Sequence, residues 1–132
     1  MPLRLFALLV VLTGPFAAFG AEIQTGFVTK EFANEDKSIS KYVVFVPAAY
    51  DGKTEYPVIL FLHGSGETKG GTKMPVEVGI GPVIKTQEKT FPYIVVIPQA
   101  EKRPWSAGSV DGKRAMSMLD ETMTAYKTDA KR

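Results

Sequence analysis

Pro57-Val58-Ile59-Leu60-Phe61-Leu62 is an unbroken apolar run that enters His63-Gly64-Ser65-Gly66-Glu67 with no spacer between them. A short run without polar alternation suits a strand covered on both faces. Tyr93 to Ile97 (YIVVI) repeats the pattern. Two such strands favour an α/β sheet over a sandwich, and residues 63–92 between them leave room for a loop and one short crossover helix.

Outside this pair, Lys41 to Val46 (KYVVFV) reads as a strand stopped by Pro47, and Thr25 to Phe32 as an earlier strand. The polar turn Asn34-Glu35-Asp36-Lys37 joins them as a hairpin. Val83 to Lys89 is the helix candidate in the crossover. After a long loop, Pro98 to Ser109, Asp111 opens a helix to Tyr126. Its residues Ala115, Met118, Leu119, Met123 and Tyr126 recur at spacings of three and four and are expected in the core. The charged tail Lys127 to Arg132 reads as the lead-in to a further strand.

The chemistry lies in the turn after the first apolar run. Glycines there let the backbone bend sharply and let bare N–H groups approach a ligand. At the carboxyl end of a parallel strand, donors around Ser65 and Gly66 are suited to an oxyanion, the charge that develops on a carbonyl oxygen under attack. Glycine-rich turns also hold phosphates, but neither G-x-G-x-x-G nor the P-loop pattern occurs here.

Composition narrows the field. The 132 residues carry 16 Lys+Arg and 14 Asp+Glu, a net charge of +2, with 45% hydrophobic residues. That suits one folded domain and gives no lever for polyanions, so nucleic acid is not an expected partner. Zero cysteines exclude disulfides, zinc fingers and thiol catalysis, and a single histidine leaves too few soft ligands for a transition metal. No metal is expected.

Residues 1–20 have the features of an export signal: Arg4, the apolar run Leu5 to Leu12, the break at Gly14-Pro15, and Ala18-Phe19-Gly20 before a cut at Ala21. The run is too short to span a bilayer, which takes roughly 20 apolar residues. The alternative is an amino-terminal anchor. The expectation is an exported protein, periplasmic or secreted, with residues 21–132 as its domain and no integral membrane segment after cleavage.

Tyr42 to Pro47, Tyr50-Asp51, Tyr56 to Gly64 and Phe91 to Gln99, taken together with the tryptophan loop and helix that follow, resemble the amino-terminal half of secreted α/β-hydrolases. The group in view is the esterases and peptidases related to feruloyl esterases, polyhydroxybutyrate depolymerases and the prolyl oligopeptidase family. The resemblance implies the amino-terminal part of an α/β-hydrolase fold, a mostly parallel sheet covered by helices. It implies a serine hydrolase of carboxylic esters or related acyl bonds, working with a Ser-His-Asp triad and no cofactor.

One element of that family is missing. Its nucleophile sits in G-x-S-x-G, and no serine here has glycine on both sides at that spacing: Ser65 lies between His63 and Glu67, Ser106 between Pro104 and Gly108. The chain therefore reads as truncated before the nucleophile strand, with nucleophile, acid and base expected beyond Arg132 and no activity alone.

The candidate oxyanion loop is His63, Gly64, Ser65 and Gly66. His63 is open to two roles, general base or brace, and the resemblance implies the brace. Ser65 and Gly66 offer backbone donors or form an ordinary glycine-rich turn. Glu67, Gln99 and Trp105 are candidate substrate contacts; for Glu67 the alternative is a solvated charge, for Trp105 a packing role. A rival reading is a small secreted non-catalytic module binding carbohydrate or peptide through Trp105 and the Gly-rich loop.

Overall fold

The computed structural model describes residues 22–102 and 105–132, so the export signal expected over residues 1–20 lies outside the described residues. Four strands form one sheet in the order β1-β2-β4-β3. β1 (Gly26–Ala33) and β2 (Ile39–Val46) form the expected hairpin, its turn closed by Lys37 in the left-handed region. β2 pairs antiparallel with β4 (Ile94–Pro98), and β4 pairs parallel with β3 (Val58–Leu60).

Two of the three pairings are antiparallel, which corrects the expectation of a mostly parallel sheet for the described residues. The reason lies in the connections. A tight turn reverses β1 into β2, whereas only β3 and β4 are joined by a helical crossover long enough to bring the chain back in the same direction.

The apolar runs at β2 and β4 fill both sides of the sheet. Val44, Val46, Ile94 and Val96 point to one face with Met118 of α2 (Val110–Ala125); Phe45, Val95 and Ile97 point to the other with Ile84 of α1 (Ile80–Thr86). Every residue of β4 is buried, as a strand with neighbours on both edges and a helix on each face must be. On the α2 face Ala115 and Met118 are buried and Leu119 packs against them, in line with the helical spacing.

β3 departs from its two-sided reading. It is three residues long and each residue is only half-buried, because its outer edge is covered only at its start. There the tail lies alongside: Tyr56 N–H donates to the Lys127 carbonyl at 3.1 Å, Asp129 N–H to the Tyr56 carbonyl at 2.9 Å, and Val58 N–H to the Arg132 carbonyl at 3.2 Å. Tyr56 and Thr128 form a parallel bridge.

The crossover helix begins three residues earlier than the expected Val83. Gly79 takes a positive φ of 54° and turns the chain, and Gly81 lies so close to the Val76 carbonyl that a Cβ would collide with it. These glycines let α1 sit against the 3-10 turn Pro75–Glu77. α2 begins one residue earlier than expected, capped by Ser109, whose Oγ accepts the Gly112 N–H at 3.0 Å.

Among the described residues no helix is long and apolar enough to cross a membrane, and no group of three or more His, Cys, Asp or Glu could hold a metal ion.

Candidate functional site

β3 and β4 run parallel, so their carboxyl ends lie at the same edge of the sheet, and the chain leaves each into a loop. The loop after β3 carries His63, followed directly by the 3-10 turn Ser65–Glu67. The loop after β4 carries Gln99 and Ala100. Among the described residues the two loops are bonded to each other at five points, one of them the exposed pair Lys69 Nζ–Glu101 Oε1 at 3.2 Å.

His63 makes the central contact. Its side chain is fully buried, and Nε2 accepts the backbone N–H of Ala100 at 2.9 Å. Accepting at Nε2 puts the ring proton on Nδ1, which lies 2.6 Å from the Gly64 carbonyl oxygen. One imidazole thus satisfies a donor of one loop and an acceptor of the other. Lys69 N–H donates to the Ala100 carbonyl at 2.7 Å, Gln99 Nε2 donates to the Glu67 carbonyl at 3.0 Å, and Trp105 Nε1 donates to the His63 carbonyl at 2.8 Å.

Among the sequence candidates, then, His63, Glu67, Gln99 and Trp105 converge: the side chains of His63, Gln99 and Trp105 bond to backbone groups of the two loops, and Glu67 takes part through its carbonyl. Glu67 is buried, with Oε2 4.0 Å from His63 Nδ1, which sets aside its reading as a solvated charge. Trp105 packs edge-on against His63, with centroids 5.0 Å apart, and spends its only polar group on the loop backbone. This contact is of the packing kind, and the ring is half-buried. Gly64, Ser65 and Gly66 are exposed, and the N–H groups of Ser65 and Gly66 have no acceptor among the described residues. A short helical turn leaves its first donors without an internal acceptor, which accounts for both.

Sequence reasoning missed Ala100 and Asp111. Ala100 contributes only its peptide group, which carries no residue-type signal. Asp111 was legible as an acid in the first turn of a helix, but its partners, the N–H groups of Glu101 and Lys102, belong to a loop whose path only the fold defines. An open cleft of about 780 Å³ lies around the carboxyl end of α2, lined by Lys30, Tyr50 and Tyr126 among others, and shares no residue with the turn.

The chain matches no family model and no curated protein. Among solved structures, the crystal structure of a thermostable esterase aligns with a TM-score of 0.61 at 23% identity. The fold resembles part of an esterase. The alignment covers 78% of this chain and 32% of the esterase chain, so the chain spans about a third of the protein it matches. At this identity the likeness concerns the fold: a mixed α/β sheet of four strands with two helices, which carries the turn after β3 on the parallel pair.

Proposed function

We propose that this chain is the amino-terminal part of an exported serine hydrolase of carboxylic esters or related acyl bonds, and that it supplies the oxyanion loop while the serine, acid and base of the triad come from another part of the polypeptide. One observation carries this reading. The turn Gly64-Ser65-Gly66 presents two unengaged backbone N–H groups at the carboxyl edge of the parallel pair, while the buried imidazole of His63 fixes it from behind. Donors held in place before charge develops are what oxyanion stabilisation requires.

His63 acts in this reading as a brace. A general base must reach a nucleophile, and here both ring nitrogens are occupied by backbone groups. Glu67, Gln99 and Trp105 likewise act by holding the loop, and an ester substrate meets the exposed backbone at Ser65 and Gly66. No cofactor is needed for acyl transfer by this route.

The test joins the chain to a segment bearing a G-x-S-x-G elbow with its acid and histidine and follows hydrolysis of an activated aryl acetate. Ser65→Pro removes one donor without breaking the turn, since proline suits the first helical position and Gly64 before it is already extended at φ −80°, ψ −160°. It should lower kcat by roughly 10²–10³, the effect of losing one oxyanion donor. Ser65→Ala keeps the N–H and should change little. Equal losses in the two variants would assign the role to the hydroxyl and overturn the reading.

A further inference from the structure

Four consecutive residues after β4 are gripped from two sides. Gln99 and Ala100 are bonded to the turn after β3, at the Glu67 carbonyl, the His63 imidazole and the Lys69 N–H. Glu101 and Lys102 are bonded to α2. Asp111, in the first turn of that helix, accepts the Glu101 N–H at Oδ1 (3.1 Å) and the Lys102 N–H at Oδ2 (2.7 Å). Its side chain is 7% exposed, and Arg114 Nη1 lies 2.8 Å from Oδ1 while Arg114 Nε donates to Asn34 Oδ1 at 2.7 Å.

We propose that Asp111 is a positioning residue for the turn at His63–Gly66, acting through the strap Gln99–Lys102. A buried carboxylate is costly unless its lone pairs are used, and here they are spent on two adjacent peptide N–H groups and one guanidinium. Such a pair fixes the direction of the strap directly after Ala100. Ala100 is fully buried, and its N–H meets the His63 ring only if the strap runs along this path. Arg114 extends the linkage to the β1–β2 turn, so the imidazole's acceptor geometry is set by an element that never touches it. That the positioned turn holds an oxyanion rests on the function proposed above; the linkage from Asp111 to His63 does not.

The experiment uses the 132-residue chain labelled with ¹⁵N and compares Asp111→Asn with Asp129→Asn, a carboxylate outside the strap. Asparagine keeps the shape of Asp111 but turns a donor toward one of the two N–H groups. The expected result is amide exchange at Ala100 about tenfold faster or more, with exchange along Ile94–Ile97 of β4 unchanged, as for a local opening. The His63 ring nitrogens should move toward an average of the two tautomers. Asp129→Asn should alter neither signal. If Ala100 and β4 accelerate together, or if the His63 resonances stay in place, Asp111 serves only the stability of its helix and the proposal falls. Should Asp111→Asn not fold, Arg114→Gln, which loosens the carboxylate and leaves it in place, must produce the same local pattern in weaker form. In the joined enzyme, Asp111→Asn should lower kcat and leave KM unchanged; loss of the exchange effect would refute the linkage whether or not the enzyme hydrolyses esters.

Discussion

The imidazole Nε2 of His63 accepts the backbone N–H of Ala100 at 2.9 Å, and the two residues are 2% and 0% exposed. Residues 37 apart in sequence are thereby joined where two parallel strands end. His63→Ala should leave the Ala100 donor buried without an acceptor, a cost of about 1–3 kcal/mol, in addition to the packing lost against Trp105. Urea unfolding of the two chains would show it, and a change below about 0.5 kcal/mol, the range of ordinary surface substitutions, would mean that the bond contributes nothing to stability.

The outer edge of β3 gives a second expectation. Tyr56 and Val58 turn their N–H groups to the tail, and Phe61 turns its own to Val96 of β4. By the alternation of a strand, Leu60 and Leu62 face the side of the tail, which does not extend beyond Val58. Amide exchange should therefore be fast at Leu60 and Leu62 and slow at Phe61. Deleting residues 128–132 should accelerate Val58 and leave Leu60 as it was. Protection of Leu60 that grows with protein concentration would instead reveal pairing of two copies along this edge.

Acid should loosen the loop before β3. Asp51 accepts the N–H groups of Thr54 and Lys53, each at 2.8 Å, and the Thr54 hydroxyl at 3.1 Å; led by the Thr54 backbone bond, these hold its carboxyl below the ordinary 3.8. A carboxyl whose value is lower in the folded chain stabilises the fold above its unfolded value, and that contribution is lost as pH falls through the folded one. Asp129 is lowered in the same sense, first by the Lys131 N–H and then by Arg132. Urea midpoints should drop on going from pH 5 to pH 2, and Asp51→Asn should flatten the profile. An unchanged slope in that variant would remove Asp51 from the account.

Gly112→Ala separates helix propensity from packing. Propensity alone predicts a gain of about 1 kcal/mol for alanine inside a helix. Here a Cβ would run into the Ser106 carbonyl oxygen and crowd the capping Ser109 hydroxyl. The expected outcome is a loss of about 1–3 kcal/mol, the usual cost of overpacking. Thermal unfolding of the variant decides the sign.

The apolar runs at 57–62 and 93–97, the hairpin turn at 34–37 and the three- and four-residue spacing from Ala115 to Tyr126 were enough to place four strands and the long helix. Pattern reports which faces a segment can bury, and these segments have little ambiguity. The antiparallel majority was not legible, because strand direction depends on which neighbours meet, and β2 meets β4 across the 47 residues that separate the two strands, pairing Tyr42 with Pro98 through Phe45 with Val95. The early start of α1 was also hidden, since it follows from a positive φ at Gly79 and a close approach at Gly81.

The candidate turn divides in the same way. By itself the sequence determined that a glycine-rich turn follows a buried strand, that the chain holds one histidine, and that no serine stands in G-x-S-x-G, since residue types and spacings state these directly. Only the tertiary structure decided that His63 faces a peptide group, that Trp105 and Gln99 close on the same turn, and that Asp111 steadies the strap behind it. Those contacts are made largely to backbone N–H and C=O groups, which every residue carries alike, so no side-chain pattern announces them before the chain is folded.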